Sequence, residues 1–341
     1  MMLLAVGNEL LRGFRAPLLT AVIALAVSWL LTPYVRSFAV SRGAVDDPAR
    51  DDRRIHTEPL PRWGGLSIYA GILVSLVAVL PFAYPKGIPF PTYLIGILAI
   101  GAVLVVFGAM DDLYEFKARI QLVVLLGAGL LVQVLHSTIR DRVQIETLGV
   151  PLTPDHIVLG LAAIPLTAIY VFVITKTMDT IDGVDGLAAG IATIASGTLV
   201  LIAVYSGHPH AAIMAGSIMG AALGFLKHNY NPAKIIMGTG GAYILGFMLA
   251  CVSIVGALKT AAAFSLIIPG LVFGVPIFDA FFVITRRLMS GQPITQADKR
   301  HLHHTLLKKG LSQKQTVWVL YAAAAMLCIV LLMVIRHYGH A

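Results

Sequence analysis

The feature that most constrains this chain is a succession of apolar runs, each about 20 residues long and set apart by short polar stretches. A helix rises ~1.5 Å per residue, so ~20 apolar residues reach across the hydrocarbon of a bilayer. Ten such runs occur, at approximately 16–35, 64–84, 90–110, 120–136, 156–175, 187–206, 209–226, 240–258, 261–284 and 316–336. Hydrocarbon offers no water to backbone N–H and C=O groups, so each run is expected to satisfy its own as a helix. The alternative, a large soluble helical core, would need polar outer faces, and these runs have almost none. Apolar residues make up 58% of the 341 positions and charged residues only 12%, about half the charged share of a soluble domain. Gly216, Gly220 and Gly224, four residues apart, mark a stripe on which another helix could pack closely.

The polar remainder is unevenly shared between the two sides. Arg36, Arg42, Arg50, Arg53, Arg54, Arg62, Lys117, Arg119, Lys176, Lys227, Lys234, Arg286, Arg287, Lys299, Arg300, Lys308, Lys309 and Lys314 follow odd-numbered runs, 18 of the 25 Lys and Arg. The positive-inside bias puts that side in the cytoplasm and, with ten spans, both termini outside. The formal charge of +8 is thereby explained by loop topology, and no nucleic-acid partner is expected. The longest outer connection, 137–155, carries Val143, Ile145 and Thr147 in alternation and then Gly149 and Pro151, which predicts a small β-hairpin. The two cysteines, Cys251 and Cys328, fall inside spans, so neither a disulfide framework nor a Cys-based metal site is indicated. The first fifteen residues show no convincing signal-peptide cleavage site. The whole chain, 1–341, reads as one polytopic domain whose reactive residues lie in inner loops at about 36–63, 111–119, 176–186, 227–240 and 285–315.

Five inner segments carry chemistry. Asp46 to His56 is dense in charge, which by itself is most often an inert solvated loop. Asp111-Asp112, with Glu115, ends the third run; adjacent carboxylates at a membrane edge are costly unless they meet a cation or metal. Lys176 to Gly186 places Asp179, Asp182 and Asp185 three residues apart, beside glycines that let backbone approach a ligand. Such a cluster repels itself, and a hard, carboxylate-seeking cation such as Mg²⁺ would relieve it. Asn229 to Lys234 is followed by Met237-Gly238-Thr239-Gly240-Gly241, a turn that either holds phosphate on backbone N–H groups or serves close packing. Asp298 to His304 sets three histidines among basic residues, which fits anion recognition better than zinc. Carboxylates for a divalent cation, bases for phosphate and glycine turns at one membrane surface suit phosphoryl transfer.

The order of these loops resembles that of the polyprenyl-phosphate N-acetylhexosamine-1-phosphate transferases, which move a sugar-1-phosphate from a UDP-sugar to a lipid phosphate and release UMP. The matching stretches run from about Asp47 to Ser312: Asp47-Pro48 with Arg54-Ile55-His56, Pro61-Arg62-Trp63-Gly64-Gly65, Gly108 to Asp112, Ile181 to Gly190, Phe225-Leu226 with Asn229 and Pro232-Ala233-Lys234, Pro276 to Asp279, and His301 to His304. The histidine motif is similar to that of the branch using UDP-N-acetylglucosamine. The resemblance implies an all-α membrane bundle of about ten helices with an outer β-hairpin, a ninth helix kinked near Pro269 or Pro276, and a cytoplasmic cleft. It implies catalytic roles for Asp111, Asp112 and Asp182, and metal contacts at Asp179 and Thr239. Substrate-binding roles fall to His56, Lys176, Asp185, Asn229, Lys234, Arg300, His301, His303 and His304. The implied cofactor is Mg²⁺, with Mn²⁺ as substitute. The implied partners are a UDP-N-acetylhexosamine, undecaprenyl phosphate, membrane lipid and, as in many members, a second copy of the chain.

The chain departs from the family pattern within the chemistry itself. Lys176 and Asp179 stand where the family carries Asn-x-x-Asn, Thr239 stands where it carries a metal-binding Asp, and Gln121 aligns with a phosphate-binding Lys. A carboxylate absent at Thr239 is thus present at Asp179, and a cation absent at Gln121 is present at Lys176, which predicts a paired exchange. An active transferase is the leading expectation. A non-catalytic relative that binds lipid phosphate or nucleotide as a scaffold or regulator is the second, and a transporter would require charges at mid-span that these runs lack.

Overall fold

The computed structural model describes residues 2–48, 58–83, 92–135, 142–149, 156–258, 267–290 and 301–338. Twelve α-helices are present among them: α1 (Met2–Ser41), α2 (Gly64–Ala83), α3 (Thr92–Tyr114), α4 (Ala118–Val134), α5 (Ala163–Ile181), α6 (Leu187–Tyr205), α7 (Pro209–Asn229), α8 (Gly238–Ser253), α9 (Ile267–Val272), α10 (Gly274–Met289), α11 (Leu302–Lys308) and α12 (Gln313–Tyr338). Eight helical stretches are long and apolar enough to cross a membrane, those of α1–α3, α5–α8 and α12, and α4 is a shorter apolar helix. The protein is therefore an all-α, multi-pass membrane bundle. Within the ninth apolar run the described helices α9 and α10 are separated at Phe273. Pro276, which lacks an N–H and clashes with a preceding turn, sits in the first turn of α10, where neither matters. That break lies between the two prolines expected to kink this segment.

Large apolar side chains face outward along the helices, among them Val22, Val103, Val123 and Met326. In water they would form an unfavourable surface; in lipid they are matched to the solvent. Helices in a bilayer gain no hydrophobic stabilisation from one another, so close packing must hold them together. The expected glycine stripe does this: Gly216, Gly220 and Gly224 of α7 lie directly on the α1 carbonyls of Pro17, Ala21 and Leu25, where a Cβ would overlap. A second close approach organises the other end of the bundle. There Gly65 of α2 meets Gly241, and Gly108 of α3 meets Gly240, so that two helices converge on the start of α8. From Gly240 to Ser253 every residue of α8 is buried, which makes it the central helix.

Two short hairpins complete the fold. In one, β3 (Thr147–Gly149) pairs antiparallel with β4 (His156–Val158), Thr147 opposite Val158 and Gly149 opposite His156. This is the hairpin expected in the connection 137–155, displaced toward the C-terminus. Val143 and Ile145 stay out of the ladder because they are buried, with the Ile145 N–H donating to Thr167 Oγ1 at 3.0 Å. The other hairpin joins β1 (Val45–Asp46) to β2 (Leu60–Pro61), and no local pattern of residues signals it. It continues sideways, since Ile236 N–H donates to Pro61 O at 2.9 Å and Gly65 N–H to Met237 O at 2.9 Å. The segment after α1 is thereby tied to the segment before α8.

Candidate functional site

The motif-bearing residues that are described gather at the end of the bundle where α3, α5 and α7 finish and α4 and α8 begin. Successive residues on a helix point ~100° apart, so the neighbours Asp111 and Asp112 enter different surroundings. Asp111, 6% exposed, faces the turn into α4. Its Oδ1 accepts the Phe116 N–H at 2.9 Å, and both oxygens accept from Gln121 Nε2 at 3.1 Å. Gln121 Oε1 in turn accepts from Lys176 Nζ at 2.9 Å, and the same ammonium donates to Asp179 Oδ2 at 2.6 Å. Asp111, Gln121, Lys176 and Asp179 form one continuous polar chain across α3, α4 and α5.

Asp112 turns toward α8. Its Oδ1 accepts the Thr239 N–H at 3.1 Å, one of the free donors of the α8 N-terminus. Arg62 approaches from the other side, its Nη1 3.5 Å from Oδ1 and its Nη2 paired with Asp46. The second carboxylate oxygen, Oδ2, is buried without a hydrogen-bond partner among the described residues. Gly238, at φ +71°, lies against that carboxylate so closely that a Cβ would collide with Oδ2. The glycine turn, read as either a phosphate cradle or a packing device, serves two contacts. Gly240 and Gly241 admit α2 and α3, while Gly238 and Thr239 hold Asp112.

The Asp-Gly loop after α5 separates into two kinds of carboxylate. Asp185 Oδ2 accepts from Asn231 Nδ2 at 2.9 Å and from the Ala233 N–H at 3.1 Å. Asn229, 1% exposed, is held by the backbone on both sides: its Oδ1 accepts the Gly186 N–H at 3.0 Å and its Nδ2 donates to Ile235 O at 3.0 Å. The Tyr321 hydroxyl donates to Gly186 O, tying α12 to the same turn. Asp182 is placed differently, capping the end of α5. Burial of its carboxyl, followed by the negative charges of Asp179, Asp112 and Asp185, holds its pKa well above the ordinary carboxylate range, and the more distant Arg62 only partly opposes this.

The histidines stand on the far wall. His301 Nδ1 lies 2.8 Å from Asp279 Oδ2, and the Leu302 N–H donates to Asp279 Oδ1 at 2.6 Å, so α10 aims the start of α11. His303, 2% exposed, stacks on His301 with ring centroids 5.6 Å apart and abuts Gly183, where a Cβ would meet its Nε2 at 2.9 Å. Burial, with the neighbouring His304 and His301 and against the pull of Asp279, lowers its pKa to about 3, so its ring is neutral at pH 7. His304 lies against His303, centroids 4.4 Å apart. Lys234 is exposed beyond this cluster. His56 and Arg300 lie outside the described residues. Sequence reasoning missed Asp279 as the partner of His301, Arg62 as the cation beside Asp112, and Gln121 as a bridge. The available signals were an acidic residue within an apolar run and a basic one within a Pro-Arg-Trp-Gly-Gly stretch.

Among the described residues no three Asp, Glu, His or Cys side chains converge as a ready-made metal cage. A Mg²⁺ site does not need one, because that ion keeps several waters and binds through one or two carboxylates together with substrate phosphates. Asp182, whose carboxyl lies in the negative field of Asp179, fits such an ion.

These features define a multi-pass membrane protein with a buried carboxylate centre at one end of its bundle. The model of "Glycosyl transferase family 4" matches residues 94–257. A "Probable undecaprenyl-phosphate N-acetylglucosaminyl 1-phosphate transferase" of Bacillus subtilis is 34% identical over 300 residues, covering 88% of this chain and 80% of the relative. A "Decaprenyl-phosphate N-acetylglucosaminephosphotransferase" of Mycobacterium tuberculosis is 33% identical over 344 residues, with 91% and 81% covered. The "Undecaprenyl-phosphate alpha-N-acetylglucosaminyl 1-phosphate transferase" of Escherichia coli is 25% identical over 311 residues, with 90% and 80% covered. The chain belongs to glycosyl transferase family 4 and, within it, to the polyprenyl-phosphate N-acetylhexosamine-1-phosphate transferases.

Proposed function

We propose that this protein transfers N-acetylglucosamine-1-phosphate from UDP-N-acetylglucosamine to a polyprenyl phosphate, undecaprenyl phosphate in the first instance, releasing UMP. The observation that carries this reading is the buried Asp111–Asp112 pair, anchored by Gln121 on one side and by the α8 N-terminus on the other, with one Asp112 oxygen free of protein partners among the described residues. In the reaction an oxygen of the lipid phosphate attacks the sugar-bearing phosphorus of the UDP-sugar. A new P–O bond forms there, and the bond from that phosphorus to the bridging oxygen breaks, leaving UMP. In this reading Asp112 Oδ2 takes the proton of the lipid phosphate, and Asp111, held by Gln121 and Phe116, fixes the end of α3 that presents Asp112. Asp182 and Asp179 would hold Mg²⁺, or Mn²⁺ in its place, near the Thr239 turn; the ion would supply neutralisation of the diphosphate charge. Asp185 and Asn229 position the loop bearing Asp182. His301, aimed by Asp279, together with His303, His304, Lys234, Arg300 and His56, would border the sugar and nucleotide. Lys176 provides a cation for phosphate.

In this reading the bundle has ten spans in the inner membrane, with the carboxylate centre at the cytoplasmic face, the β3–β4 hairpin and both termini on the other side, and the product starting a cell-envelope glycan. The excess of Lys and Arg in the loops of the carboxylate end supports that orientation. The decisive assay uses the purified protein with Mg²⁺, polyprenyl phosphate and a panel of UDP-sugars. UMP release with UDP-N-acetylglucosamine is expected, and no UMP from any UDP-N-acetylhexosamine would leave only the scaffold reading. Labelling of a cysteine placed at Ser290 from outside intact cells would overturn the orientation.

A further inference from the structure

Tyr243, in the second turn of α8, has no place in the mechanism above, although its side chain is 0% exposed and its hydroxyl oxygen is buried without a hydrogen-bond partner among the described residues. Buried phenols nearly always pair their O–H, and where only the ring is needed Phe serves better. The ring cannot easily turn to seek a partner. It lies parallel to Phe107, centroids 6.5 Å apart at 10°, and Phe107 stacks at 5.1 Å on Phe116, the residue whose N–H holds Asp111. Lys176 Nζ sits 5.8 Å from the centroid of the Tyr243 ring. The same ammonium donates to Asp179 and, through Gln121, is linked to Asp111.

Among the described residues the Asp179, Asp111 and Asp112 carboxylates make no hydrogen bond to this O–H, and the Lys176 ammonium has nothing to accept with. What the hydroxyl lacks is an acceptor oxygen located among these carboxylates. On the transferase reading, on which this inference rests, both substrates bring such oxygens on phosphate. Over the ring stands Lys176, whose side chain is 33% exposed and whose ammonium donates to Gln121 and Asp179. A phosphate oxygen that drew the ammonium toward itself would uncover the phenol beneath. We propose that the Tyr243 hydroxyl donates a hydrogen bond to a phosphate oxygen of bound substrate, as a substrate-binding residue acting with Lys176.

The test is Tyr243→Phe in the full-length, detergent-purified protein. Three quantities are compared with wild type: the Tm without ligand, the Tm shifts produced separately by UDP-N-acetylglucosamine with Mg²⁺ and by polyprenyl phosphate, and kcat/KM for UMP release. Removing an unpaired hydroxyl from an apolar helix should leave the ligand-free Tm unchanged or raised. Losing a hydrogen bond to a charged oxygen should lower kcat/KM by about 10- to 100-fold. Loss of the Tm shift with polyprenyl phosphate alone assigns the hydroxyl to the acceptor phosphate, and loss with the nucleotide sugar alone assigns it to the diphosphate. Retention of both shifts with kcat/KM within about twofold of wild type overturns the proposal. So does a fall in the ligand-free Tm, or loss of cooperative melting, with both shifts retained, since the hydroxyl then serves the fold. If wild type releases no UMP, the transferase reading fails, and the two Tm shifts still decide whether Tyr243 meets a phosphate.

Discussion

Asp182 and Asp185 stand three residues apart, each followed by a glycine, yet they belong to different kinds of structure. Asp185 commits one oxygen to the Asn231 amide and the Ala233 N–H, and with Asn229 it fastens the loop to the segment before α8. Asp182 faces Asp179 and Asp112 and is crowded by their charge. A polar group saturated by neighbouring protein has little left for a ligand, whereas one crowded by like charge gains most when a cation arrives. In the proposed mechanism one half of this acidic loop builds the site, and the other half is available for chemistry.

That division predicts that substitutions on the two sides fail in different ways. The largest effect is expected at Asp112. Asp112→Asn keeps the volume but removes the charge beside the reacting phosphate, so kcat should fall by ~10²-fold or more while the protein folds and melts normally. Near-wild-type turnover would remove Asp112 from the mechanism. Next is Asp179→Asn, which should lower kcat by at least ~10-fold if its carboxylate contributes to holding the cation. Thr239→Asp in that background should restore part of the loss by placing a carboxylate at the turn that already contacts Asp112. Activity indifferent to Asp179→Asn would end the idea of an exchanged carboxylate.

On the saturated side the damage should appear in stability. Asn229→Ala leaves the Gly186 N–H and the Ile235 carbonyl without their partner, which should cost about 1–3 kcal/mol in unfolding free energy. If Tm were unchanged while KM for the UDP-sugar rose, Asn229 would move to the ligand-contacting side. The smallest effect is a pH dependence at His303. Its folded pKa of about 3 lies below the ordinary 6.5, so the unfolded chain takes up the proton first as pH falls. Its contribution to stability is complete above pH ~6.5 and declines below that, by at most about 1.4 kcal/mol per pH unit. His303→Gln should flatten that decline between pH ~6.5 and ~5, measured as Tm against pH. Equal slopes in the two proteins would mean that the ring is not buried neutral.

The paired departures from the family pattern take on a definite geometry in the fold. Lys176, one turn before Asp179, bonds both to Asp179 and to the amide of Gln121. The cation at position 176 therefore lies beside the position where the family pattern has its lysine, and the added carboxylate and added ammonium are each other's partners. The family resemblance raised the idea of an exchanged pair of charges. It did not foresee an ion pair tied to Gln121, because contact between α4 and α5 side chains 55 residues apart has no local signature.

Much was legible in the chain itself. Apolar runs of membrane length determined helices, since hydrocarbon leaves the backbone no other partner, and Gly216, Gly220 and Gly224 marked the α1–α7 packing because only a missing Cβ permits that approach. The clustering of carboxylates at Asp111–Asp112 and Asp179–Asp185 pointed to a site because nothing local could relieve their repulsion. Only the tertiary structure decided which of these groups are satisfied. It seated Gly238 and the Thr239 N–H against Asp112, drew Arg62 across from the end of β2, gave Asp185 and Asn229 to the backbone, and left Tyr243 without a described partner under Lys176. The physical reason is that residue type sets what a group can bond, whereas the convergence of α3, α5 and α8 sets what lies within ~3 Å of it.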